Sequence, residues 1–196
     1  MKKMKNQNKL SRREFIKITA LSAGTLTISA GGLSLIEECS GPHKSGRFFL
    51  SDDEYHLIES VAEQIIPTDE WPGGKDTRIA DFIDIQLAGP YRRFQQVYRK
   101  GIAAIEDTCL NKFHTIFKDL AWDVQTEFLQ EMETGTLSGD NWKDGFSGKF
   151  FELLRSHSLQ GFYGSPRHGG NKDFTSYKMI GLDEVQTLGQ NRYGIQ

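Results

Sequence analysis

The chain has 196 residues, 37% of them hydrophobic and 11% aromatic. That is enough for one domain with a real core, and it excludes a disordered or low-complexity chain. Two cysteines and no C-x-x-C pair exclude a disulfide scaffold, a C-x-x-C zinc site and a c-type haem attachment. The net charge of -2 hides an asymmetry: residues 1–17 carry seven Lys or Arg against Glu14 alone, which leaves 17 cations, 25 anions and a net of -8 for the rest. An acidic body repels phosphate, so nucleic acid is excluded as a partner.

Ile18 to Ile36 carries no charge, and nine of its 19 residues are Gly, Ser or Thr. The stretch is weakly apolar for a permanent membrane anchor. A basic head followed by an uncharged segment is the layout of an export signal. The head contains Ser11, Arg12, Arg13, Glu14, Phe15, Ile16 and Lys17. This run resembles the twin-arginine signal S-R-R-x-F-[LI]-K at every defined position. The bland alternative is an ordinary basic amphipathic start. The resemblance implies that the twin-arginine machinery reads Ser11, Arg12, Arg13, Phe15 and Lys17. It also implies that the folded chain is carried to the periplasm. Ala30, Gly32 and Ser34 all offer cleavage sites. Cys39 follows Glu37 and Glu38, a poor setting for lipidation. The expected organisation is a signal over 1–36, a linker over 37–50, a helical domain over 51–183 and a tail over 184–196.

Ser51 and Glu54 form a capping box, and Tyr55, Ile58, Ala62 and Ile65 follow at helical spacing. Pro67 ends that helix. A second helix is expected over 77–87, burying Ile79, Phe82, Ile83 and Leu87, with Gly89-Pro90 as its stop. Asp81 and Asp84 on it read as a solvated acidic face. A third helix is expected over 91–110, with the stripe Phe94, Tyr98, Ile102, Ile105 and Cys109 turned inward. A fourth covers 123–133, with Phe128 and Met132 inward, and Gly135 to Asp144 reads as a polar loop. A fifth covers 146–158, with Phe146, Phe150, Leu153, Leu154 and His157 on one side. No convincing alternating strand and no internal repeat is present. The fold class is all-α: a small irregular helical domain with a long glycine-rich C-terminal loop.

That loop, Gln160 to Asp173, holds Gly161, Gly164, Gly169 and Gly170, interleaved with Phe162, Tyr163, Pro166, Arg167 and His168. Glycine lets another surface approach closely, and the aromatic and Arg residues are those that anchor interfaces. The loop reads either as a docking surface or as a segment folded back on its own helices. It is no phosphate loop, because neither G-x-x-x-x-G-K-[ST] nor G-x-G-x-x-G is present.

The five histidines, His43, His56, His114, His157 and His168, form no metal-ligand spacing. His157 reads as a helix-end histidine bonded to nearby backbone. No catalytic, cofactor or metal site is expected in this chain. Cys39 and Cys109 are the one pair available for a disulfide after export. Two rival readings stay open. One is a self-sufficient exported enzyme using His168 with Arg167 or Asp173. The other is a sugar-binding or interaction module that stacks a sugar on Trp71 or Trp142.

Several segments point together to a family. They are Ile66 to Asp69, Ala80 to Asp84, Gln86 to Tyr91, Phe150 to Arg155, Gln160 to Asn171, and Tyr177 to Leu182. Over about residues 48–183 they resemble the small, subunit-3 family of gluconate 2-dehydrogenase. Ser165 stands where the family usually has Asp, and His168 where it often has Tyr. The resemblance implies a non-catalytic partner of a large flavoprotein of the glucose–methanol–choline type. The flavoprotein would carry FAD and oxidise a sugar, sugar acid or glycoside. A cytochrome c subunit or domain with haem c often takes the electrons onward. The small subunit carries the export signal for both. Phe162, Tyr163, Pro166, Arg167, His168, Gly169, Gly170 and Asn171 are the expected partner interface.

Overall fold

The computed structural model describes residues 46–182. The twin-arginine run, Cys39 and the tail over 184–196 lie outside the described residues. Six α-helices form the domain: α1 (Asp52–Ile65), α2 (Ile79–Ala88), α3 (Gln95–Phe113), α4 (Trp122–Thr134), α5 (Phe146–Tyr163) and α6 (Thr175–Met179). Short 3-10 turns lie between them, and no strand occurs among the described residues. The all-α expectation holds.

Helix α1 starts where its capping box puts it. The Ser51 hydroxyl accepts from the Glu54 amide at 3.3 Å, and Glu54 accepts from the Ser51 amide at 2.8 Å. Tyr55, Leu57, Ile58, Val61 and Ala62 are its buried residues. Helix α2 begins two residues later than expected. Arg78 adopts a left-handed conformation at φ 60°, and the Thr77 hydroxyl donates instead to the Gly73 carbonyl at 2.6 Å. Helix α3 is preceded by a 3-10 turn at Arg92–Phe94 and runs on to Phe113, where His114 at φ 57° stops it.

Helix α5 packs against α1, α2, α3 and α4 and is the centre of the domain. Its Phe150 is fully buried against Gly101 of α3. A β-carbon at Gly101 would lie 2.2 Å from the Phe150 ring, so that pair sets the approach of the two helices. Tyr98, Phe117 and Phe128 complete the aromatic centre, and Cys109 is buried as its stripe predicts. Burial pushes the Cys109 thiol up to about 12, which leaves it a poor nucleophile.

Three expectations are corrected. The polar loop at 135–144 contains a 3-10 turn, Asp140–Gly145, that drives Trp142 into the core. Its indole N–H donates to the Thr108 hydroxyl at 2.9 Å. Helix α5 continues five residues beyond Ser158, through Gly161, because packing overrides the low helix propensity of glycine. Asp81 and Asp84 are not a solvated face. Asp84 is buried and accepts the amides of Phe48, Phe49 and Leu50 at 2.7, 2.8 and 2.7 Å. Asp81 accepts from the Tyr55 hydroxyl at 2.9 Å and from Arg47 at 3.3 Å. Burial, and then that bond to Asp81, push Tyr55 up to about 12. The segment over 47–50, expected as linker, is therefore fastened to α2.

A buried carboxylate that closes three amides is costly to remove, because the donors lose their acceptor. Asp84→Ala is expected to lower unfolding stability by about 3 kcal/mol or more, read as a shift in the urea midpoint. Asp84→Asn keeps an acceptor oxygen and is expected to lose less.

Candidate functional site

The end of α5 and the loop after it form one unit. Helix α5 stops at Gly164, which is extended at φ -73° and ψ 176°. A 3-10 turn, Pro166–His168, follows, and then Gly169 at φ 103°. Glycines here serve close packing. A β-carbon at Gly161 would lie 3.0 Å from the Phe82 ring. One at Gly169 would lie 2.7 Å from the Ile85 methyl, and one at Gly170 would lie 2.3 Å from the Gly161 carbonyl oxygen. The last contact is to backbone, which cannot step aside.

Asn171 locks the fold-back. It is fully buried at φ 45°, a left-handed conformation that Asn tolerates better than most residues. Its amide nitrogen donates to the Gly164 carbonyl at 2.8 Å, and its oxygen accepts from the Ser176 amide at 2.9 Å. The Lys172 amide then donates to the Thr77 carbonyl at 3.2 Å, tying the loop to the start of α2.

The eight residues expected at a partner interface therefore divide. Phe162, Gly170 and Asn171 are buried inside this chain. Their side chains or backbone hold the loop, and none of them is free to meet a partner. Gly169 and Pro166 are half-buried. Tyr163, Arg167 and His168 are exposed, Tyr163 by 57%. Sequence alone could not make this division, because it depends on how the loop folds back on the end of α5 and on α6.

Tyr163 and His168 border an open groove of about 520 Å³ with Phe82, Gln86, Tyr91 and Leu159. Its lining is mainly apolar, and the Tyr91 hydroxyl donates to Gln160 on its wall. Leu159 was missed in the sequence because it lies off the inward stripe of α5.

His157 is buried behind Tyr91, one of the residues that line the groove. Tyr91 stacks on its ring at 4.5 Å, and Tyr98 stacks at 5.8 Å. The Tyr98 hydroxyl and His157 Nδ1 are hydrogen-bonded at 2.9 Å. The expectation of a backbone partner at a helix end is corrected, because α5 runs past this residue. Burial, and then the charge of Arg93, lower the His157 pKa to about 4. The imidazole is therefore neutral at pH 7. Burial also raises the Tyr98 phenol, so both partners stay uncharged.

The rival arrangements come together poorly. Arg167 Nε donates to His168 Nε2 at 3.1 Å, and Asp173 bonds to neither. Trp142 is only 4% exposed, so it offers no indole face to a sugar. A depression of about 720 Å³ does lie next to it, lined by Asp107, Asn111, Lys112, Glu131 and Asn141. It is larger than the groove, but Asn141 already donates to Asp107 at 2.8 Å and Lys112 to Glu131 at 2.9 Å. The charged side chains of the depression are thus already paired within this chain. Trp71 sits in an exposed turn closed by Asp69. Among the described residues no group of three or more His, Cys, Asp or Glu side chains could hold a metal ion. No described helix is long and apolar enough to cross a membrane.

The class defined here is a small all-α domain whose glycine-rich tail folds back beside an open apolar groove. The chain belongs to the gluconate 2-dehydrogenase subunit 3 family, whose model matches residues 52–183. No match was found among curated proteins or among solved structures.

Two predictions concern the loop and the buried histidine. Asn171→Ala leaves the Ser176 amide without its acceptor and puts Ala at a positive φ, so a loss of about 2–4 kcal/mol is expected in urea unfolding. The second concerns pH. A folded pKa near 4 lies below the unfolded value of 6.5, so the unfolded chain binds the extra proton between them. The contribution of neutral His157 is fully present above pH 6.5 and is lost as pH falls towards 4. It amounts to about 3 kcal/mol at most. In His157→Phe, the stability gap to wild type should shrink across that window, measured by denaturant midpoints at stepped pH.

Proposed function

We propose that this chain is the non-catalytic small subunit of a periplasmic FAD-dependent dehydrogenase that oxidises a sugar, sugar acid or glycoside. The family match over residues 52–183 is the observation that carries this reading. The exposed groove with Tyr163 and Leu159 supports it, because an apolar surface beside a rigid loop is suited to cover by another subunit. FAD belongs to the large partner, and a cytochrome c subunit or domain is the onward acceptor. This chain supplies a folded surface that the flavoprotein needs for stability or assembly.

The export role rests on Ser11, Arg12, Arg13, Phe15 and Lys17. The twin-arginine route carries folded proteins, so one signal can serve two assembled subunits. Arg12→Lys combined with Arg13→Lys is expected to leave both subunits in the cytoplasm, read by fractionation and dye-linked sugar oxidation. Unchanged export in that variant would sink the transport role. The subunit role is tested by capturing the tagged chain from its native host. A yellow complex with a large flavoprotein is expected. The captured small chain, separated from it, should be colourless and inactive. Sugar oxidation by the small chain alone would overturn the proposal in favour of a self-sufficient enzyme.

A further inference from the structure

The described chain changes sign near its end. Residues 46–159 hold 12 Lys or Arg and 20 Asp or Glu, whereas residues 160–182 hold Arg167, Lys172 and Lys178 against Asp173 alone. All three cations are exposed. Among the described residues, none of the three forms an ion pair.

The same stretch is unusually apolar at its surface. Phe174, Met179, Ile180 and Leu182 are 44%, 37%, 68% and 49% exposed, all within nine residues. The 125 residues from Gly46 to Gly170 expose six large hydrophobic residues in all. Single exposed apolar residues are ordinary, but four within nine positions are a concentration that calls for a cover.

The fold holds this patch outward. Thr175 and Ser176 face inward, with Ser176 bonded to buried Asn171. Asp173 and Phe174 both sit at left-handed φ, 58° and 59°. A bulky residue is costly there, so the structure spends free energy to turn Phe174 to the surface. The Leu182 amide returns to the Tyr177 carbonyl at 2.8 Å, which closes the segment.

We propose that Phe174 to Leu182, with the exposed cations Arg167, Lys172 and Lys178 near it in sequence, is a docking face for a protein surface that presents apolar and acidic groups together. The partner is the flavoprotein subunit, and to that extent the inference rests on the function proposed above. Charge argues for this occupant. A second copy of the same face would bring like charges together. An anionic membrane would be repelled by the acidic remainder of the domain.

The test uses the full chain and its flavoprotein, with affinity measured at low and high salt. Lys172→Glu with Lys178→Glu should weaken association about tenfold or more and flatten its salt dependence. Ile180→Ser should weaken it with the salt dependence intact. All three positions are exposed, so thermal unfolding should match wild type and separate a docking loss from a folding loss. Wild-type affinity in both variants would overturn the face while leaving the subunit role standing. Failure of wild type to bind any flavoprotein would overturn the subunit role itself. A rise in apolar-dye binding on deletion of residues 183–196, with flavoprotein affinity unchanged, would assign the patch to the chain's own tail and overturn the proposal. Sedimentation of the isolated chain with anionic vesicles, abolished by the same variants, would overturn it in favour of a lipid surface.

Discussion

Where Gly170 crosses Gly161, no β-carbon fits, because one would lie 2.3 Å from a carbonyl oxygen. The crossing lays the tail on the last turns of α5. It also places Asn171 where its side chain can reach both Gly164 and Ser176. From there the loop has little freedom. Gly169 must pass the Ile85 methyl, and residues 173 and 174 must turn through left-handed φ to begin α6. One backbone contact thus fixes which residues of the tail face inward. The family-like glycine motif is first a packing device, and the surface it displays is a consequence.

Helix α2 receives both ends of the described chain. On one part, Asp84 closes the amides of residues 48–50. On another, Phe82 and Ile85 carry Gly161 and Gly169. Gly46, Arg47, Asp84 and Gly169 border one shallow depression, so the two attachments are neighbours. A buried carboxylate is tolerated because three donors replace its lost water. Residues 48–50 and the glycine loop are thus both anchored on one ten-residue helix.

What was legible in the sequence was local. The capping box at Ser51 and Glu54 needs only four residues, and the α3 stripe from Tyr98 to Cys109 needs only helical periodicity. The missed features come from residues far apart in sequence. Asp84 meets residues some 35 positions away, His157 meets Tyr98 across 59, and Trp142 meets Thr108 across 34. Glycine misled for the same reason. Its low propensity marked Gly161 as loop, yet Phe82 requires a bare Cα on a helix there. Phe162, read as an interface anchor, is a core residue because the helix continues beneath it. The apolar run from Phe174 to Leu182 gave no sequence signal of exposure, since only the tertiary fold decides which side of so short a helix is covered.

The groove and the basic face differ in a way that bears on recognition. Behind the groove wall that Tyr91 forms, the buried His157 imidazole is held neutral, so at neutral pH it adds no charge to the apolar side chains in front of it. The tail beyond it carries exposed apolar residues together with the exposed cations Arg167, Lys172 and Lys178. Apolar burial is non-directional and cannot by itself set the orientation of a partner. Charged groups can, because a rotated partner would bring its acidic groups away from Arg167, Lys172 and Lys178 and towards the acidic remainder of the domain. In the proposed docking, contact area from the groove and orientation from the tail are separate requirements. A single loop, pinned by Asn171, holds the two regions at a fixed relative position.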